Sequence, residues 1–240
     1  MRKNVAWGIT GAGALLQESI SALRSLIKGG VGVTVFVSKA GETVLKMYGF
    51  KEVIENIVVG KYPTGIVYES SEHPGYPTTG RLYLGLYSAV IISPATLNTV
   101  GKIVNGIADS LVSALAMHAL KTGIPIYVIP VDAFETKSTI PILIDRERCE
   151  RCNACSVVGK CPVSAIDEHP YYKLTIDPTK CIKCRLCLKL CPLGAIRFDV
   201  DIVVKPFPYY LEIIERARRI DNLNVISSPT QVLELLGVEH

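Results

Sequence analysis

Eight cysteines crowd into one stretch of 43 residues, Cys149 to Cys191, and the rest of the 240-residue chain has none. They read C-x2-C-x2-C-x5-C-P and then C-x2-C-x2-C-x3-C-P. Three thiolates on a tight loop plus one remote thiolate, twice over, form the ligand set of two cubane iron–sulfur clusters. In this arrangement the fourth cysteine of each run serves the other run's cluster. The expected sets are Cys149, Cys152, Cys155 and Cys191 for one [4Fe-4S] cluster, and Cys181, Cys184, Cys187 and Cys161 for the other. Pro162 and Pro192 stiffen the chain where each remote cysteine turns back. A disulfide framework would belong to a small secreted domain with scattered cysteines. Paired zinc sites use cysteine pairs separated by longer loops. Neither uses two runs of four with none left over.

The block repeats itself. Ile144-Asp145 precedes Cys149 as Ile176-Asp177 precedes Cys181, and the first three cysteines of the two runs lie 32 residues apart. Cys161-Pro162-Val163-Ser164-Ala165-Ile166 echoes Cys191-Pro192-Leu193-Gly194-Ala195-Ile196. Such self-similarity predicts two half-domains related by a pseudo-twofold axis. Residues 142–200 resemble the bacterial-type two-cluster ferredoxins, and that resemblance implies one-electron transfer at low potential.

Outside the block remain enough residues for a substantial core, because 49% of the chain is apolar. The net charge of +4 is mild and its basic residues are scattered, so no nucleic-acid partner is expected. No apolar run reaches the length of a membrane span. With no export signal and eight thiols best used as metal ligands, the expected compartment is reducing cytoplasm.

Val5–Ile9 reads as a buried strand feeding the glycine loop Thr10-Gly11-Ala12-Gly13. Helical spacing follows from Ala14 to Lys28, stopped by Gly29-Gly30, and Val31–Val37 is a second strand. This βαβ unit predicts a parallel sheet. A glycine loop between strand and helix suits an anion, although a mere tight turn explains the glycines as well. Two helices are expected over 42–48 and 51–59, and the polar tract Glu69–Gly80 reads as a surface loop. His73 within that tract is a candidate acid, weighed against a merely solvated histidine. Ala89–Ile92 is the next strand, opening into Ser93-Pro94-Ala95-Thr96-Leu97-Asn98-Thr99 and one long helix over 100–121, followed by a strand over 125–129. Small and hydroxylated residues at a strand's end form either an anion and ring-binding crevice or a capped helix start.

Residues 1–132 resemble the homo-oligomeric flavoproteins that include the flavin-containing cysteine decarboxylases. The match is carried by S-P-A-T-L-N-T at 93–99, by G-I-T-G-A-G-A after the first strand, and by G-I-A-D-S-L at 106–111. The resemblance implies that Thr10, Gly11, Ala12, Gly13 and Ser38 line the phosphate or ribityl chain of FMN. It implies flavin contacts from Ser93, Pro94, Ala95, Thr96, Asn98 and Thr99, with Asp109 and Ser110 nearby. The decarboxylating members carry a histidine in a context that His73 lacks, which speaks against decarboxylation.

Beyond the cysteine block, a helix over 209–220, a strand at 223–226 and a last helix after Ser228-Pro229-Thr230 resemble the closing segment of the same fold. The expected architecture is therefore α/β: a Rossmann-like parallel-sheet flavoprotein domain (1–141) with a two-cluster ferredoxin inserted at 142–200 and the domain completed by 201–240. The combination resembles the archaeal dihydromethanopterin reductases. That resemblance implies electrons passing from an external low-potential donor to FMN and on to a pterin, dihydromethanopterin. It also implies a trimer-based homo-oligomer with FMN at a subunit boundary. The alternative is a relay between redox complexes with no organic substrate; a third possibility is a decarboxylase that has gained clusters.

Overall fold

The computed structural model describes residues 4–238. The chain opens with β1 (Asn4–Ile9), α1 (Leu16–Lys28), β2 (Gly32–Val37), α2 (Lys39–Tyr48), α3 (Lys51–Ile57) and β3 (Gly65–Tyr68). It continues with β4 (Ala89–Ala95), α4 (Leu97–Val104), α5 (Leu111–Thr122) and β5 (Ile126–Pro130). The cysteine region holds β6 (Thr136–Ile144), α6 (Arg146–Glu150), β7 (Ile166–His169), β8 (Lys173–Ile176), α7 (Leu186–Leu190) and β9 (Ile196–Val204). The chain closes with α8 (Pro208–Arg218), β10 (Leu223–Val225) and α9 (Gln231–Leu236).

Six strands form one parallel sheet in the order β10-β5-β4-β1-β2-β3. The central strands are continuous apolar runs because helices cover both faces. In β1, Val5, Trp7 and Ile9 face the layer of α1 and α9, while Ala6 faces the layer of α4, α5 and α8. β2 divides the same way, with Val33, Val35 and Val37 on the first side and Phe36 on the second. Because β10 pairs with β5, residues on either side of the cysteine block share one sheet.

The cysteine region leaves that sheet along a ribbon, β6 antiparallel to β9, with Thr136 opposite Val204 and Ile144 opposite Ile196. At its far end the sequence repeat becomes visible as structure. Ile144 pairs with Ile196 just as Ile176 pairs with Ile166 in the second, two-stranded sheet of β7 and β8. The Asp145 N–H donates to Ala195 O at 2.7 Å, and the Asp177 N–H donates to Ala165 O at 2.8 Å. Each half thus pairs with the other half's remote-cysteine segment.

Three local expectations change. The single helix expected over 100–121 is two: α4 ends at Val104, Gly106 takes a positive φ of 71°, and Ser110 caps the start of α5. The four-residue edge strand β3 lies between the helix expected to end at 59 and the loop expected from Glu69, in residues to which the sequence assigned no element. The polar tract from Glu69 is wound into two 3-10 turns, Glu69–Ser71 and Pro77–Leu84, the second burying Thr79 and Leu82.

Candidate functional site: a crevice and two cysteine cavities

The carboxyl ends of β4, β1 and β2 lie side by side where the strand order reverses, which is where open α/β sheets bind ligands. A broad crevice opens there, lined by Gly11, Ser38, Lys39, Ala40, Thr43, Glu69, Thr96, Asn98, Thr99, Lys102, Asp109 and Ser110. Three helices begin on it, each capped by its own hydroxyl. Ser38 accepts from the Gly41 N–H at 3.0 Å, Thr96 from the Thr99 N–H at 3.3 Å, and Ser110 from the Ser113 N–H at 3.3 Å. Three positive helix ends meet there with Lys39 and Lys102, offset by the carboxylates of Asp109 and of Glu69, which already accepts from the first N–H of α2 and of α5. Lys102 is itself held by Asp109 at 2.8 Å.

The residues expected to contact a flavin divide into two layers. Gly11, Ser38, Thr96, Asn98, Thr99 and Asp109 line the crevice. Thr10, Ser93, Pro94 and Ala95 are buried behind it and wire the loops together. Thr10 Oγ1 donates to Pro94 O at 2.7 Å and accepts from the Thr96 N–H at 2.9 Å. Trp7 Nε1 donates to Ser93 O at 2.8 Å, while Ser93 Oγ meets Ser19 Oγ at 2.7 Å. Asp132 fixes the next residue by accepting from the Leu97 N–H at 3.0 Å. Ala12 packs with Ala14 and Val131, and Gly13 lines a neighbouring cleft with Tyr48. Gly11 is required by close approach, since a Cβ there would lie 2.7 Å from the Ala40 Cβ. The crevice also recruits Lys39, Thr43, Glu69 and Lys102, which the motifs do not single out. The first two follow directly from Ser38 as a helix cap; Glu69 depends on the unforeseen strand β3. His73 is exposed and lies outside the lining.

Glu69 closes one side by accepting from the Leu111 N–H at 3.0 Å and the Lys39 N–H at 3.3 Å. Its neighbour Ser70 donates to Glu42 at 2.6 Å, and Lys51 and Lys46 lie 3.1 and 3.2 Å from the same carboxylate. The Ser70 bond, opposed by burial and helped by the two lysines, draws the Glu42 carboxyl down from 4.5 to about 2. Its folded pKa lies below its unfolded value, so the stabilisation is full above that unfolded value and is lost as pH falls toward the folded one. With its side chain 14% exposed, Glu42→Gln is expected to cost about 2 kcal/mol at neutral pH. Its acid unfolding curve will be flatter than the native protein's between pH 5 and 2, measured by circular dichroism.

None of the eight cysteines is in a disulfide. They line two separate cavities. Cys149, Cys152, Cys155 and Cys191 line one, and Cys161, Cys181, Cys184 and Cys187 line the other. These are the two crossed sets that the spacing predicts. Among the described residues no three His, Cys, Asp or Glu side chains converge as ligands of a single ion would. Four cysteines around each of two cavities match the ligand number of two [4Fe-4S] clusters. Main-chain N–H groups already point at the sulfurs: Ala165 at Cys161 and Ala195 at Cys191, both 3.3 Å, and Lys183 at Cys181, 3.4 Å. Such bonds stabilise thiolate ligands and tune cluster potential. Burial pushes the Cys149 and Cys187 thiols up, so both stay protonated until a cation displaces the proton.

Comparison with known proteins matches both halves of this picture. Residues 1–143 fit the Flavoprotein family, and residues 131–195 fit a 4Fe-4S dicluster domain. A dihydromethanopterin reductase (acceptor) of Methanosarcina mazei is 37% identical over 237 residues, covering 97% of this chain and 98% of the relative. Its namesake in Methanocaldococcus jannaschii is 44% identical over 167 residues, 68% of this chain and 67% of the relative. Among solved structures, DmrB of Burkholderia xenovorans in complex with FMN, a cubic protein cage for redox transfer, shares the fold. It aligns with a TM-score of 0.63 over 98% of this chain and 93% of that one, at 22% identity.

Proposed function

The chain belongs to the Flavoprotein family, and from that premise we propose that it is an iron–sulfur flavoprotein oxidoreductase reducing dihydromethanopterin to tetrahydromethanopterin. The observation that carries the reading is one chain holding both a crevice under three helix starts and two four-cysteine cavities. Its M. mazei relative, matched over nearly the whole of both chains, bears that reductase's name. When bound, the clusters would supply one-electron exchange with an external donor, and FMN would supply the coupling to the two-electron reduction that an organic ring requires.

The chain's own residues bind and orient. Ser38, Lys39 and Thr43 at the start of α2 take the FMN phosphate, and Thr96, Asn98 and Thr99 hold the flavin side of the crevice. The buried bonds of Thr10, Ser93 and Trp7 keep those loops from moving when the ligand arrives. Cys149, Cys152, Cys155 and Cys191 hold one [4Fe-4S] cluster; Cys161, Cys181, Cys184 and Cys187 hold the other. Residues 142–200 act as a ferredoxin module inserted into the flavoprotein domain (1–141 with 201–240). A homo-oligomer built from trimers, in reducing cytoplasm, completes the reading. Exposed Tyr83, Leu84, Phe207 and Tyr209 supply apolar surface for subunit contacts. Among the described residues no helix is long and apolar enough to cross a membrane.

The test is anaerobic. Holoprotein reduced by a low-potential donor and mixed with dihydromethanopterin will regain oxidised-flavin absorbance stoichiometrically with tetrahydromethanopterin formed. Flavin that stays reduced in the presence of the pterin would point to a relay between redox proteins instead.

A further inference from the structure

The two cysteine sites are not equivalent, and α2 shows why. Its first turn lines the crevice through Lys39 and Thr43, beside the capping Ser38. Its last two residues lie against the cysteine region. Met47 shares a small gap with Pro141, Ile142, Pro178, Cys181, Lys183 and Phe198. The Tyr48 hydroxyl donates to Thr139 O on the ribbon at 2.5 Å. Ten residues of helix separate these ends by about 15 Å. The Tyr48 ring also presses on the first loop of the domain, where a Cβ on Gly13 would collide with the ring and its hydroxyl. Burial holds that hydroxyl above the ordinary tyrosine range, offset in part by Ser138, so it remains a donor. Both cysteine cavities take their lining from the cysteine region, Ile142 to Phe198 for one and Cys149 to Ile196 for the other, so what sets the first apart is the gap that Met47 shares with its ligand Cys181.

We propose that the site of Cys161, Cys181, Cys184 and Cys187 is the inner one, exchanging electrons with the flavoprotein domain, and that Tyr48 is the positioning residue that seats it. The site of Cys149, Cys152, Cys155 and Cys191 is the outer one, facing the external one-electron donor. This rests on the flavin and cluster reading above. Each transfer moves one electron and no atoms: the donor is oxidised by one electron and the flavoprotein domain's cofactor is reduced by one. Two such transfers, with two protons from water, complete each reduction.

Flavin fluorescence lifetime reports the distance to the nearest redox partner without turnover. The readout is the ratio of lifetimes, iron-free over iron-loaded, for the same protein, which cancels any direct effect of a side chain on the flavin. Cys184→Ala, with half the native iron, is expected to lower that ratio by at least about threefold, and Cys152→Ala, with the same iron content, by much less. Tyr48→Ala will lower the ratio at full iron content, and Tyr48→Phe, which keeps the ring against Gly13, will restore most of it. A larger effect of Cys152→Ala than of Cys184→Ala, or equal effects, overturns the order of the sites. A Tyr48→Ala ratio equal to the native one overturns the seating role. Absence of the yellow flavin absorbance from the purified native protein would instead defeat the flavin reading itself.

Discussion

Stripping the iron from the intact protein will melt residues 145–196 and leave the six-stranded sheet standing. The module cannot hold itself together by apolar packing. Its buried cluster is Cys149, Val157, Ile166, Leu174, Cys187, Ala195 and Ile196, so two of its members are the proposed ligands themselves. Its own sheet is the four-residue pair β7 and β8, and isolated two-stranded hairpins are marginal in water. In small metal-folded domains the metal supplies folding free energy on the order of 10 kcal/mol, and losing it unfolds them. The flavoprotein domain depends on no such help: Val5, Trp7, Val33, Val35, Val90 and Ile91 are all fully buried in it. Hydrogen exchange followed by mass spectrometry separates the two. After oxidative removal of iron and chelation, amides of β7, β8 and the cysteine loops should exchange at least about 100-fold faster, while those of β1 and β4 do not change. Persistent protection in β7 and β8 would mean that packing, not iron, holds the module.

What was legible in the sequence follows from how local each signal is. The cysteine sets need only spacing, and the crossed assignment follows from two remote cysteines that each lie beyond their own run. Central strands announce themselves because a strand buried on both faces is an unbroken apolar run. The break between α4 and α5 was hidden because Ile103, Ile107 and Leu111 keep a four-residue period straight through it. Gly106 and the Asp109-Ser110 cap were the contrary signals. β3 was lost because its four residues are all only half-buried at the sheet edge. The ribbon was half visible: Ile196, Phe198, Val200, Ile202 and Val204 alternate as a strand should. Its partner lies more than 50 residues upstream, with no turn between to mark the pairing. The crevice divides the same way. Its hydroxylated loop residues were readable, but which of them face the ligand and which lie buried depends on tertiary contacts. The Tyr48–Gly13–Thr139 joint has no sequence signature at all.

Asn98 offers the sharpest test of the crevice because affinity and stability should part company there. It lies in the first turn of α4, exposed, while its neighbours Leu97, Thr99 and Val100 are buried. Asn98→Trp places an indole where the flavin ring is proposed to lie without touching the core. It should weaken FMN by at least about 100-fold, roughly 2.7 kcal/mol, with both clusters retained. Asn98→Asp changes one atom type and adds a negative charge. At a helix start that charge favours α4 by about 0.3–1 kcal/mol. Facing a bound phosphate across the same crevice it repels, and FMN affinity should fall about tenfold. The aspartate variant stripped of flavin should therefore melt slightly higher than the native apoprotein while binding FMN less well, read by thermal denaturation and fluorescence titration. A purified tryptophan variant that kept its full yellow absorbance would place the flavin somewhere other than beneath Thr96, Asn98 and Thr99.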